Sequence, residues 1–103
     1  MAESGRPVEP ELRTPDAEHF FHAVVELRKV EDCQKFLGDL LTREEVLRFI
    51  ERWKIARLLD AGYPYKHITR ETGASAATIA RVKERLAEGR GGLALMVQRF
   101  RQR

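Results

Sequence analysis

Apolar residues recur along the chain three and four residues apart, which is the period of an amphipathic α-helix. No segment shows the strict alternation that is typical of a half-buried strand. The predicted fold class is therefore all-α. The pattern places about six helices, over residues 15–29, 30–41, about 43–61, about 65–71 and about 76–88, with a last one after Gly92.

Several helix ends are marked by residues that can satisfy free backbone groups. Thr14 stands directly before Pro15, a favourable combination for a helix N-terminus. Thr42 is followed three residues later by Glu45, which is the spacing of a capping box. Gly62 follows the long middle helix and suits its C-terminal cap.

Composition indicates one folded domain preceded by an arm. The chain has 103 residues, of which 43% are hydrophobic and 34% are charged, as expected of a folding sequence. Residues 1–13 are polar and contain two prolines, so we expect a flexible N-terminal arm before a helical domain over 14–103. Cys33 is the single cysteine, which rules out an intrachain disulfide, and we expect a cytoplasmic protein.

The long predicted helix over 43–61 is apolar on more than one side. Such a helix needs burial around much of its circumference, and a short chain has little material to supply it. We expect a homodimer whose two chains share one core, with a well-packed monomeric bundle as the alternative. The apolar positions are Val46, Leu47, Phe49, Ile50, Trp53, Ile55, Ala56, Leu58 and Leu59.

The net charge of +3 conceals an uneven distribution. Residues 1–45 carry 6 basic against 11 acidic side chains, a net of −5. Residues 46–75 carry 6 against 3, a net of +3, and residues 76–103 carry 7 against 2, a net of +5. A basic C-terminal half favours a polyanionic partner such as DNA, although a solvated helix surface has the same composition.

The stretch "TGASAATIARV" has the arrangement of a helix-turn-helix, which we predict over about 65–88. Gly73 supplies the backbone freedom of a tight turn, and Ser75 can cap the helix that follows. The second helix of this motif enters the major groove of DNA by its N-terminal end. The positions predicted to pack inward are Ile68, Ile79, Val82 and Leu86.

Side chains on the other face of this motif are candidates for DNA contacts. Small residues at the helix start allow close approach, Thr78 can bond a base or a phosphate, and Arg81 can bond guanine in bidentate fashion. An ordinary helical corner remains an alternative, as does a small dimeric module that binds a protein partner without specific DNA binding. The predicted DNA-binding residues are Lys66, Ser75, Ala76, Ala77, Thr78, Arg81 and Arg85.

Three segments together resemble the tryptophan-repressor superfamily, and within it the related bacterial regulators of the YerC/YecD type. They are "FLGDLLTREEV", "ERWKIARLLDAGYPYKHI" and "TGASAATIARV", and the resemblance covers about residues 18–95. It implies a TrpR-like intertwined dimer of six-helix chains. Such a dimer binds a pseudo-palindromic operator in double-stranded DNA and regulates transcription, here expected as a repressor.

The resemblance also implies a possible effector pocket, at Thr42, Arg52, Arg81 and Arg85. Arg52 and Arg81 match the two arginines that flank tryptophan in the tryptophan repressor. Val82 and Arg85 stand where that protein has a glycine that makes room for the indole and a serine that meets the ligand's amino group. Because a branched side chain fills the space and a cation repels an ammonium group, we expect a different, anionic effector or direct phosphate binding. A rotated Arg85 that leaves the pocket usable is the alternative.

Motifs of catalysis are absent from the sequence. It contains no P-loop, no dinucleotide fingerprint and no pattern of a nucleophile with its base. His19 and His22 lie three residues apart on the first predicted helix, and two ligands without a third are too few for a zinc site. We therefore expect a protein that is not an enzyme and that uses no cofactor or metal.

Overall fold

The computed structural model describes residues 6–101, so that the first five residues of the predicted arm and the last two of the predicted domain lie outside it. A short 3-10 turn at Pro10–Leu12 is followed by six α-helices, and this part of the chain contains no strand. The helices are α1 (Pro15–Val25), α2 (Val30–Leu40), α3 (Arg43–Asp60), α4 (Tyr65–Thr72), α5 (Ala76–Glu88) and α6 (Gly92–Arg101). The predicted all-α class with six helices is confirmed. Within residues 6–101 no helix is both long and apolar enough to cross a membrane.

The predicted C-terminal end of α1 was wrong by more than one residue. Residues 26–29 read as good helix formers, so the sequence extended this helix to 29, whereas it ends at Val25. The N–H of Glu26 bonds to the carbonyl of Ala23 at 3.1 Å, which tightens the last turn. Lys29 then takes an extended conformation (φ −112°, ψ 142°) and is the N-cap residue of α2. Residues 26–29 therefore form the connection between α1 and α2.

The predicted caps are confirmed as hydrogen bonds. The N–H of Ala17 donates to Thr14 Oγ1 at 3.1 Å and so caps α1. At the start of α3 the Glu45 N–H donates to Thr42 Oγ1 at 3.1 Å, and the Thr42 N–H donates to Glu45 Oε1 at 2.8 Å. This reciprocal pair is a complete capping box, which satisfies two N–H groups that the helix itself leaves free.

The C-terminus of α3 closes on Gly62, as the sequence predicted. Gly62 has a φ of +89°, its N–H bonds to the carbonyl of Leu59 at 3.0 Å, and the Tyr63 N–H bonds to the carbonyl of Leu58 at 3.1 Å. These two bonds form a Schellman motif, which needs a left-handed residue and therefore favours glycine. The motif ends the helix and starts the connection to α4.

The described chain divides into two compact units, residues 8–48 and residues 49–101 with 6–7. The second unit has a core drawn from α3, both helices of the predicted helix-turn-helix, the turn between them, and α6. Its buried residues are Ile55, Ala56, Ile68, Ala74, Ile79, Val82 and Val97. Trp53, Leu58, Leu59, Tyr65, Leu86 and Leu93 pack around them. The two helices of the helix-turn-helix thus pack against one shared hydrophobic core.

The unit of residues 8–48 has contacts between aromatic rings but little burial. Phe20 meets Phe21 edge to face with ring centroids 5.3 Å apart, and it stacks with Phe36 at 6.2 Å. Neither α1 nor α2 contains a buried residue. Phe20 keeps 37% of its surface exposed and Phe21 keeps 43%. Within one chain, the apolar surface of this unit is only partly covered.

Candidate nucleic-acid interface

The turn between α4 and α5 is fixed by short-range hydrogen bonds. Gly73 takes the left-handed conformation at φ +76°, and its N–H donates to the carbonyl of Thr69 at 2.7 Å. The Thr72 hydroxyl donates to the carbonyl of Ile68 at 2.8 Å and accepts from the Ala74 N–H at 3.1 Å. The predicted role of Gly73 is confirmed, and Thr72 is a second stabilising residue that the sequence analysis did not identify.

Ser75 begins α5 as the predicted N-cap. Its backbone is extended (φ −74°, ψ 161°), and its Oγ accepts from the Thr78 N–H at 3.1 Å. The Ser75 hydroxyl also donates to Thr78 Oγ1 at 3.1 Å. Two residues of the predicted DNA-binding set are therefore bonded to each other, side chain to side chain.

The two faces of α5 differ as the sequence predicted. Ile79 has no exposed surface and Val82 has 5%, so both lie in the core. The opposite face of α5 is open to solvent: Thr78 is half-buried, and Ala76, Ala77, Arg81 and Arg85 are exposed. The other two predicted DNA-binding residues, Ser75 at the N-cap and Lys66 on α4, are exposed as well. Because Ala77, Arg81 and Arg85 follow one another at intervals of four, they share one side of the helix.

The cations of the predicted DNA-binding set form no ion pair within the described part of the chain. They are Lys66, Arg81 and Arg85. Two arginines on one exposed helix side, with no carboxylate within ion-pair distance, favour a positive local surface potential. The surface is thus complementary to a polyanion and holds open donors for it.

Two other lysines, Lys54 and Lys83, contact residues of α4 instead. Lys54 Nζ on α3 lies 3.4 Å from the carbonyl oxygen of Glu71 and 3.9 Å from its Oε1, at the C-terminal end of α4. A cation is favourable there because the helix dipole is negative at that end. Lys83 Nζ on α5 lies 5.9 Å from the centre of the Tyr65 ring on α4, within cation–π range. Neither contact was predicted from the sequence.

Tyr63 and His67 form an aromatic stack at the entrance to α4. Their ring centroids are 4.3 Å apart and their planes differ by 16°. Tyr63 remains 45% exposed. Tyr63 precedes the Pro64 N-cap and His67 lies in the first turn of α4, so the stack joins the connection after α3 to the start of α4.

The residues of the predicted effector pocket occur in both units. Thr42 belongs to the unit of residues 8–48, and its hydroxyl is engaged in the capping box. Arg52, Arg81 and Arg85 belong to the other unit and are exposed. Val82 lies in the core of that unit, so its methyl groups occupy interior space.

Comparisons with known proteins agree with this architecture. The family described as Trp repressor protein matches residues 16–101. The uncharacterized protein YerC of Bacillus subtilis (strain 168) is 35% identical over 91 residues, which cover 88% of each chain. A candidate Trp repressor from Staphylococcus aureus has a solved structure with a TM-score of 0.82 at 34% identity, covering 88% of this chain and 91% of the other. The structure of a TrpR-like protein from Eubacterium eligens ATCC 27750 gives a TM-score of 0.84 at 32% identity, with coverage of 89% and 95%.

Proposed function

This chain belongs to the Trp repressor family, a family of DNA-binding regulators that are not enzymes, and from that premise we propose that it is a sequence-specific transcriptional repressor. A homodimer binds a pseudo-palindromic operator in double-stranded DNA, with one α5 helix in the major groove of each half-site. Bound at an operator, the dimer blocks transcription. Its place of action is the cytoplasm, where bacterial DNA lies.

The single observation that carries this proposal is the division of α5 into a buried face and an unpaired basic face. Ile79 and Val82 hold the helix in the core, while Arg81 and Arg85 extend from the other side without carboxylate partners in the described chain. Exposed Ala77 precedes them on the same side. A methyl side chain there lets the helix come close to base edges, and the arginines supply donors for guanine or phosphate.

Uncovered apolar surface supports the homodimer. Single exposed apolar residues are common, but a soluble monomer rarely leaves so many in adjacent helices. A second copy of the same chain would cover them, and the two chains would then share one core. The large apolar side chains that stay at least one-third exposed include Phe20, Phe21, Val24, Val25, Val30, Leu40, Leu47, Phe49, Ile50, Leu95, Met96 and Phe100.

The proposed ligand of the effector pocket is anionic, either an effector that is not tryptophan or the DNA phosphates themselves. Arg85 is an exposed cation, and it would repel the ammonium group of an amino acid held beside it. Arg52, Arg81 and Arg85 instead offer a basic surface that suits either an anionic effector or the DNA phosphates directly.

Salt dependence of DNA binding tests the function. Each phosphate that the protein neutralises should contribute about 0.9 to the slope of log affinity against log salt concentration. We expect Arg81→Ala and Arg85→Ala each to lower that slope by roughly one, as measured by fluorescence anisotropy on a selected operator. Lys35→Ala is the matched control, because Lys35 is an exposed cation paired with Glu31 on α2. A protein that binds no DNA, but captures a protein partner with little salt dependence, would instead be an interaction module.

A further inference from the structure

Ser75 and Thr78 form a closed pair of hydrogen bonds at the start of α5. The Thr78 N–H donates to Ser75 Oγ, and the Ser75 hydroxyl donates to Thr78 Oγ1, both at 3.1 Å. Two other helices begin with a side-chain cap, and neither has this arrangement. Thr14 accepts only from a backbone N–H, and Thr42 is paired with a carboxylate. Among these three caps, Ser75 alone also holds the hydroxyl of another side chain.

This pair leaves Thr78 with a defined hydrogen-bonding role. A threonine hydroxyl has one proton and two lone pairs, and Ser75 occupies one lone pair. Because Ser75 is the donor in this bond, the proton of Thr78 is not used in it and is left for another acceptor. Because linked hydrogen bonds polarise one another, a hydroxyl that accepts one becomes a better donor of the next. The bond to Oγ1 also restrains χ1 of a side chain that is already stiff at that angle.

We propose that Ser75 is a positioning residue that presents Thr78 as an oriented hydrogen-bond donor to a base edge in the major groove, an inference that rests on the DNA binding proposed above. The matching base atoms are acceptors, namely guanine O6 and N7, adenine N7 and thymine O4. The amino group of cytosine is a donor and is disfavoured at the same place. Ala76 and Ala77 beside the pair are exposed and short, so neither places a long side chain in front of the half-buried Thr78.

Selection of bound sequences from random double-stranded DNA, with the full chain and its variants, tests this inference. Thr78→Val removes the hydroxyl and should reduce the preference at one base pair of each half-site roughly 2- to 10-fold, the range of one hydrogen bond. Thr78→Ser keeps the hydroxyl and should retain the preference. Ser75→Gly should reduce the same preference about twofold or more, because glycine is an adequate cap but cannot orient Thr78. Thr14→Gly, a matched loss of a cap elsewhere, should leave the motif unchanged.

Each other outcome has a definite meaning. If Ser75→Gly leaves the selected motif intact while Thr78→Val alters it, Thr78 acts without Ser75, and the inference is wrong although DNA binding stands. If Thr78→Val weakens binding equally to all sequences, the hydroxyl meets a phosphate, and reading of a base edge is wrong. If the wild-type chain enriches no motif, the proposed function fails and this inference fails with it. Thermal unfolding of every variant establishes that the proteins compared are folded.

Discussion

Arg101 holds Asp60 through two parallel hydrogen bonds, Nη2 to Oδ1 at 2.8 Å and Nε to Oδ2 at 3.0 Å. The pair joins the last residue of α6 to the last residue of α3. The neighbouring residue on α6, Phe100, meets Trp53 of α3 edge to face, with ring centroids 5.8 Å apart. An ion pair and an aromatic contact thus fix α6 against the helix that carries the helix-turn-helix.

The Asp60–Arg101 pair should contribute little to stability despite its good geometry. The Arg101 side chain is 60% exposed and the Asp60 side chain 21% exposed, and ion pairs open to solvent are typically worth less than about 1 kcal/mol. We expect Asp60→Asn to lower the free energy of unfolding by about 0.5 kcal/mol at low salt, and by less in 1 M salt, as measured by urea denaturation. Glu31→Gln on α2 breaks a more exposed pair and is the control. A loss of several kcal/mol at Asp60 would show that the pair is buried in the working assembly.

We expect a substitution at Gly73, in the turn between α4 and α5, to lower stability more than Asp60→Asn does. A Cβ at this position would meet no atom within 4 Å, so the cost of Gly73→Ala is that of the left-handed backbone alone. That cost is about 1 to 2 kcal/mol. Gly38→Ala is the control, since Gly38 lies inside α2 and its added Cβ also meets nothing, so this change should stabilise by about 0.5 to 1 kcal/mol. Equal effects of the two substitutions on urea denaturation would contradict the assigned turn geometry.

Local features of this fold were predictable from sequence because their partners lie within a few residues. Thr14, Thr42 and Ser75 each bond a backbone N–H three residues on, and that spacing is visible in the sequence. The turn at Gly73 and the inward positions of the helix-turn-helix follow from the same short range. The candidate interface was therefore largely placed by sequence reasoning, although its role in DNA binding stays a proposal.

Features that depend on how helices pack were not predictable in this way. Lys54 and Glu71 are 17 residues apart, and their contact depends on the angle at which α4 meets α3. The cation–π contact of Lys83 with Tyr65 likewise requires the packed helices. The early end of α1 was not predicted because helix propensity is a property of single residues. It carries no information on where the chain must turn, here at Glu26, before another helix begins.

A charge placed on the uncovered face of α1 should prevent dimer formation. Phe21 is 43% exposed and belongs to a unit with no buried residue in α1 or α2, so Phe21→Glu removes apolar contact area that a second chain would cover. We expect wild-type protein at low micromolar concentration to sediment at about twice its 11.9 kDa chain mass, and the variant to lose this species. Gln34→Glu adds the same charge at an exposed polar position of α2 and should remain dimeric. A folded wild-type monomer would contradict the shared core.

The selected DNA sites should have two-fold symmetry. A symmetric dimer that inserts one helix per half-site requires half-sites about one helical turn apart, roughly 34 Å. Lys66 is exposed on α4 and unpaired in the described chain, so Lys66→Ala should weaken binding to all sequences similarly and lower the salt slope by about one. Electrophoretic mobility shifts on the selected site and on scrambled DNA measure this. A motif without a dyad would argue against one α5 helix per half-site.

L-Tryptophan should neither stabilise this protein nor tighten its binding to DNA. A ligand present at one hundred times its dissociation constant raises the free energy of unfolding by about 2.7 kcal/mol, which a thermal shift assay detects readily. We expect no such shift with millimolar L-tryptophan, because in the proposed effector pocket the Arg85 cation would repel the ligand's ammonium group. Arg85→Ser removes that charge at an exposed position and is the matched variant. A shift that appears only in Arg85→Ser would assign the exclusion to charge. A clear shift in the wild-type protein, together with tighter operator binding, would instead show that Arg85 swings away and that tryptophan is the effector.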